Sequence, residues 1–336
     1  MYRFRRLAVL PLILLLFAAC ATPAAQETAG GAAPLRIVTT VSPITNIVYN
    51  IAGDKAAIVG IVPEGVNSHT FEPAPSDARQ LAQADVIFIN GLKLEEPTLK
   101  LAEANLKDGA EIILLGDQTV REDEYAYDFS FPKEGGSPNP HLWPNPFHAL
   151  RYAEIVRDTL AARDPANAAY YNANYDAFAA RIAALDEAIK ATVASIPAEN
   201  RKLLTYHDSW AYFAPVYGMT VIGAIQPSDF AEPSAQDIAE IIRQIRAESV
   251  PAIFGSEVFP SPILEQIARE TGAQYVDDLR DDDLPGAPGE ANHSYLGLMK
   301  ENLRVMAAAL GGDPSLIADF DPSNIPGADA TVEQNQ

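Results

Sequence analysis

Three of the five histidines stand in settings suited to ligand chemistry. His69 lies in Pro63-Glu64-Gly65-Val66-Asn67-Ser68-His69, just after a strand-like run and before the helix that Pro75-Ser76-Asp77 starts. His141 lies in Asn139-Pro140-His141-Leu142-Trp143. His207 lies in Tyr206-His207-Asp208-Ser209-Trp210, at the end of another strand-like run. All three occupy loop positions of the kind at which α/β sheets hold ligands, and none sits on an apolar helix face. The acidic run Asp281-Asp282-Asp283 adds a fourth candidate, following the strand around Tyr275. Neutral imidazoles plus one carboxylate form a closed donor set for a borderline divalent cation. Spacing alone does not bring such distant groups together, and a single loop histidine is commonly a surface or capping residue.

Composition narrows the classes. The chain has 336 residues, 24 Lys and Arg against 45 Asp and Glu, and a formal charge of −21. So acidic a surface disfavours nucleic acid, whose phosphates need a basic partner. Cys20 is the only cysteine, which excludes an intramolecular disulfide and a thiolate metal site. It ends a secretory pattern: Arg3, Arg5 and Arg6, then an apolar run from Leu7 to Ala19, too short to span a bilayer. Small residues before a lone cysteine resemble a bacterial lipobox, although Phe17 stands where Leu is usual. The expectation is a signal peptide over 1–19, lipidation of Cys20, a small-residue tether over 20–34, and an extracytoplasmic protein anchored to the cell membrane.

Elements that could position the histidines alternate along the chain. Strand-like runs are Leu35–Thr40, Ala57–Ile61, Val86–Asn90 and Glu111–Leu115, then Lys202–Tyr206, Met219–Ile225, Ala252–Gly255 and Gln274–Val276. Helical patterns cover Ser42–Ile51, Asp77–Ala84, Ser234–Arg246, Ser261–Thr271 and Tyr295–Leu310, the last ending at Gly311-Gly312 as a C-cap. Short apolar strands separated by helices predict parallel sheets covered on both faces. Between the two sets, Tyr171, Tyr175, Phe178, Ile182, Leu185, Ile189 and Val193 recur at helical spacing. That predicts one helix over 165–196, about 45 Å long at about 1.5 Å per residue. The fold class is therefore α/β, two lobes with parallel-type sheets joined by a long rigid spine helix. The lobes span 35–164 and 197–315, and 316–336 form a flexible tail.

Four blocks carry a resemblance: GIVPEGVNSHTFEPAPSDARQLAQADVIFINGLKLE, NPHLWPNP, TYHDSWAYFAPVYG, and LRDDDLPG followed by SYLGLMKENL. With them the chain resembles, from about Leu35 to Gly312, the solute-binding proteins of ABC importers for zinc and manganese, the TroA-like cluster. The resemblance implies a metal held between the lobes by His69, His141, His207 and Asp282. Asp282 is matched through Leu279 and Leu284, and a slip of one position to Asp281 or Asp283 stays open. It also implies Glu257 as an acid that orients a ligand. Asn145 stands where an Asp is common. His148 starts a helix and His293 is a surface residue, so neither is counted. Trp143, Tyr206 and Trp210 flank ligands and either wall off water or pack the core.

The implied function is extracytoplasmic capture of a divalent metal and its delivery to an ABC transporter permease with its ATPase, by a monomer that is no enzyme. Three imidazoles favour zinc; manganese comes next, since the loop from Gln118 to Pro138 is acid-rich and lacks histidine. A secreted metallohydrolase and a metal-stapled surface adhesin are the rival readings. No HExxH helix and no nucleophile elbow support the first.

Overall fold

The computed structural model describes residues 34–226, 232–258, 262–277, 279–325 and 333–334. The signal segment, the tether and Cys20 lie outside these residues. The first lobe is built from β1 (Leu35–Thr39), α1 (Ser42–Ala52), β2 (Ala56–Gly60), α2 (Pro75–Gln83), β3 (Val86–Ile89), α3 (Glu96–Asn105) and β4 (Glu111–Leu114). Its strands run parallel in the order β4-β3-β1-β2. Two long helices follow, α4 (Pro146–Arg163) and α5 (Ala168–Ser195). The second lobe adds β5 (Lys202–Thr205), β6 (Thr220–Ala224), α6 (Ala235–Glu248), β7 (Ala252–Phe254), α7 (Pro262–Thr271), β8 (Gln274–Val276) and α8 (Tyr295–Leu310). Its sheet is also parallel, in the order β6-β5-β7-β8.

Consecutive strand residues point to opposite faces, so each sheet needs two covers. In the first lobe Val38, Ile87 and Ile89 pack with Leu81 of α2 and Ala102 of α3. Ile37 and Phe88 turn the other way, into a cluster with α1, α4 and α5. In the second lobe Leu204 and Ile253 pack with Ile241 and Ile245 of α6 and Leu264 and Ile267 of α7. Leu203 and Phe254 join the same large cluster as Ile37. One apolar core therefore passes through both lobes. Helix α5 buries Tyr171, Phe178, Ile182, Leu185, Ile189 and Val193 in it, the stripe that its periodicity predicts. The spine is packed along its length against α1, α4 and α8 rather than standing free between lobes.

Three features differ from the sequence reading. Helices α3 and α4 both begin with proline near N1, a favoured start that the hydrophobic pattern alone does not reveal. The spine starts at Ala168, after a 3-10 turn over Pro165–Asn167. Residues 316–325, expected within a flexible tail, are packed. Ile317 is buried, and Lys300 Nζ donates to the carbonyls of Ala318 and Phe320 at 2.7 and 2.8 Å. Arg181 pairs with Asp321 at 2.6 Å, and the Asn50 side chain bonds Asn324 and the Ile325 amide. Glu333–Gln334 (β9) then add to the β2 edge.

Candidate metal centre

Parallel strands send all their carboxyl ends to one edge, where successive loops meet. His69 follows β2, His207 follows β5, and the Asp281–Asp283 run follows β8. Each histidine of the first lobe is set by an asparagine two residues earlier. The Asn67 side chain accepts the His69 amide at 2.9 Å. Asn139 Oδ1 accepts both the His141 amide and its ring Nδ1, each at 2.8 Å. An amide oxygen only accepts, so Nδ1 of His141 carries the hydrogen and Nε2 presents its lone pair. Asn90 adds a second brace, donating to the Pro140 carbonyl at 2.9 Å while the Tyr152 hydroxyl donates to it at 2.6 Å.

The three Nε2 atoms converge. His141 Nε2 lies 3.1 Å from that of His69 and 2.9 Å from that of His207. Tetrahedral donors about 2.0–2.1 Å from one small dication sit about 3.3 Å apart, close to this spacing. Among the described residues these three form the one group of donors mutually within 4.8 Å. His141 and His207 are buried, while His69 is mostly buried and borders a cavity of about 200 Å³ that Lys93, Phe131 and Pro138 also line. The Phe131 ring stands over the cluster, its centroid 5.5, 5.7 and 6.2 Å from the imidazoles of His69, His141 and His207.

The aspartate run divides its labour. Asp281 Oδ2 is 3.3 Å from His207 Nε2 and also accepts the Ser209 hydroxyl. The Asp282 carboxylate is occupied by Ser68, accepting its amide and its hydroxyl at 3.1 Å each. Asp283 accepts the Gly65 amide at 2.8 Å. One oxygen of Glu257 accepts all three amides of the run, at 3.0, 3.0 and 2.9 Å. Glu257 thus shapes the loop that presents Asp281 and acts on the cluster only through it. The structure brings together His69, His141 and His207, with Asp281 against His207; Asp282, the residue singled out by sequence, faces Ser68 instead.

Electrostatics follow the same division. Burial lowers His69 and His141 well below the usual histidine value, and His207 pushes in the same direction. Burial would lower His207 too, but the hydrogen bond and charge of Asp281, with the charges of Asp282 and Asp208, raise it overall. Burial works against ionising Asp281, yet His207 and Ser209 hold its carboxyl below the ordinary value. Asp282 is raised well above that value by burial and by the charges of Asp281 and Glu257. Glu257 is pushed up to about 8 by burial and by Asp281.

Of Trp143, Tyr206 and Trp210, the three aromatic residues that flank the histidines in sequence, Trp143 packs against the cluster. It packs 5.1 Å from His141, and its Nε1 donates to the Asp281 carbonyl at 2.8 Å. Tyr206 and Trp210 pack the core. His148 rests on Tyr212, and His293 lies 3.7 Å from Glu64, both outside the cluster. Asn139, Phe131 and Ser209 escaped the sequence reading. For Asn139 a signal existed, an Asn two residues before a loop histidine, as an Asx turn requires.

Residues 37–309 match the profile of the family described as ZnuA, zinc-uptake complex component A, periplasmic. The iron-binding protein YfeA of Yersinia pestis is 32% identical over 279 residues, 82% of this chain and 86% of that one. The manganese ABC transporter substrate-binding lipoprotein PsaA of Streptococcus pneumoniae is 28% identical over 312 residues, 89% of this chain and 96% of that one. The periplasmic zinc binding protein TroA of Treponema pallidum superposes with a TM-score of 0.75 at 27% identity, covering 83% of this chain and 99% of that one.

Proposed function

We propose that this chain, which belongs to the family of periplasmic zinc-uptake component A proteins, binds one divalent transition metal outside the cytoplasm and delivers it to an ABC importer. The observation that carries this is the convergence of three Nε2 atoms at 2.9 and 3.1 Å. The ligands in this reading are His69, His141 and His207, joined by Asp281, which lies against His207 but outside the group mutually within 4.8 Å and closes on the ion as the fourth donor. Asp281 is preferred to Asp282 because the latter's two oxygens each accept a hydrogen bond from Ser68, whereas Asp281 lies against His207 and is held ionised by it. Glu257 is a positioning residue beneath it.

Three imidazoles and one carboxylate favour zinc, with manganese second. Relatives named for iron, manganese and zinc support the class of cargo and leave its identity to the donor set. Four protein donors fill a tetrahedral ion, which argues for sequestration and against a hydrolytic site with an open position. Elemental analysis of protein purified without added metal, followed by zinc and manganese competition, tests the reading. One equivalent of metal is expected, zinc preferred; less than a tenth of an equivalent after a zinc challenge sinks it. The partners in this reading are a permease with its ATPase, and the membrane through lipid on Cys20. Cys20→Ser should move the protein from the membrane fraction to the soluble one with metal affinity unchanged, and persistence in the membrane counts against the anchor.

A further inference from the structure

A groove of about 560 Å³ lies between the loop carrying Tyr127 to Phe129 and the segment from Ala211 to Val221. None of the three clustered histidines lines it. Its walls are apolar, with Tyr127, Phe129, Ala211, Met219 and Val221, and Phe129 is 54% exposed. Two carboxylates, Asp128 and Asp208, also line it. Most acceptor positions of this pair are used. Asp128 Oδ1 accepts the amides of Ser130 and Phe131 at 3.0 Å, and its Oδ2 accepts the Asn139 side chain at 2.6 Å. Asp208 Oδ1 accepts the Trp210 amide at 3.1 Å. Asp208 Oδ2 is buried and has no hydrogen-bond partner.

A buried carboxylate oxygen without a donor is costly, and the cost is removed by a ligand that brings N–H groups. A metal ion fits poorly, because hard cations need several more oxygen donors than one free atom beside apolar walls supplies. A flat organic cation fits on each count. Asp208 is fully buried, so a small shift of the groove wall opens its Oδ2 to the ligand's N–H groups, while the ligand's charge answers both acids and its body lies against the aromatic edges. The volume is that of a small-molecule site. We infer that this groove binds a small amidinium or guanidinium compound with an apolar body, held by Asp208 and Asp128.

Benzamidine is a suitable probe, titrated calorimetrically into the metal-loaded mature chain. Saturable one-to-one binding with a Kd below about 1 mM is expected. Benzamide, the neutral isostere, should not saturate. Asp208→Asn should weaken benzamidine about tenfold, since it replaces a charged acceptor by a neutral one. Ala211→Phe fills the groove from a position outside the metal centre. It should abolish benzamidine binding while zinc affinity stays within about twofold of the parent, which also covers a failure of Asp208→Asn to fold. N-acetyl-arginine amide carries the same cationic group without a flat apolar body and should bind more weakly than benzamidine. Absence of saturation by about 10 mM benzamidine overturns the inference. So does equal binding of benzamide, retained binding in Ala211→Phe, or tighter binding of N-acetyl-arginine amide, which would assign the groove to an arginine side chain of another protein.

Discussion

The two halves of the candidate metal centre are built on opposite electrostatic plans. The first lobe presents His69 and His141 from asparagine-braced turns, and burial keeps both rings neutral. The second lobe presents His207 and Asp281 as a mutually charged pair, above a loop whose amides close on Glu257. A neutral pair of donors is ready for a cation but gains little from its charge. A carboxylate supplies that charge, and holds a proton on its neighbouring imidazole until the cation arrives. Selectivity among similar dications can thus be set by the geometry of one lobe, and affinity by the charge of the other.

The sharpest way to break this comparison is to discharge one half. Asp281→Ala removes the anionic donor and leaves a dication's charge uncompensated in a buried site. Competition titration should show zinc and manganese affinity falling by more than about a hundredfold, at least the cost of a lost charge-assisted contact. Asp282→Ala should cost about tenfold or less, since its carboxylate braces Ser68 rather than facing His207. The reverse ranking would restore the register that the family resemblance implies and remove Asp281 from the donor set.

That register is the part of the site the sequence leaves open, since the resemblance points to Asp282 with Asp281 and Asp283 one step away. Every strand from β1 to β8 lies within a residue or two of its apolar run, because two-sided burial writes itself as consecutive Val, Ile and Leu, whereas β9 at Glu333–Gln334 has no such run. The spine was legible from one stripe, Tyr171 to Val193. The three histidines were legible because loops after strands are few and these carry distinctive neighbours. Three consecutive aspartates offer no such contrast. Asp281 is the one against His207 and Ser209, residues more than 70 positions away, while Glu257 gathers the amides of all three aspartates onto one oxygen. The docked segment 316–325 was hidden likewise, since its anchors are Asn50, Arg181 and Lys300, distant in sequence.

The neutral half is supported by a strained turn, and that support should be visible in stability. Gly91, Leu92 and Lys93 all have positive φ, of 81°, 48° and 66°, costly for the two that carry side chains. Glu95, 3% exposed, holds the turn by accepting the amides of Asn90 and Gly91 at 3.1 and 3.2 Å. Burial pushes its carboxyl up to about 7, against the pull of Thr40 and those amides. The folded state therefore holds a proton that the unfolded chain releases near 4.5. Its contribution to stability is full below that pH and is lost as pH rises through about 7, a swing of about 3 kcal/mol. Urea unfolding of the metal-free protein at pH 5 and pH 8 should show that swing, and Glu95→Gln should lack it. Equal pH dependence in the two proteins would mean that Glu95 is not buried as a neutral acid.

A smaller loss is expected from the brace on His141. Asn139→Ala removes the acceptor that fixes the hydrogen on Nδ1 and frees the ring to turn. Such supporting contacts are worth about 10–100-fold in metal affinity. Ser209→Ala, which touches only the already charged Asp281, should cost less than Asn139→Ala. If the two rank the other way, the neutral half is less dependent on positioning than its asparagine braces suggest.

The least effect per unit of change, and the most direct reading of the asymmetry, is the proton count. Three free imidazoles would compete with the metal for three protons as pH falls through about 6.5. Burial has already stripped His69 and His141 of theirs, since both lie well below that value. His207 alone is raised above it by Asp281. Below its folded pKa, binding must expel one proton from His207, so affinity falls about tenfold for each unit of pH lost. Above it the expulsion ceases and affinity levels off. Zinc titrations at pH 6 in buffers of different ionisation enthalpy should report release of close to one proton per metal. Asp281→Asn should bring the release at pH 6 down, because without the carboxylate burial lowers His207 like its partners. A count near three would mean the first-lobe rings are charged before metal arrives. A count of one that persists in Asp281→Asn would place the proton on some group other than the His207–Asp281 pair.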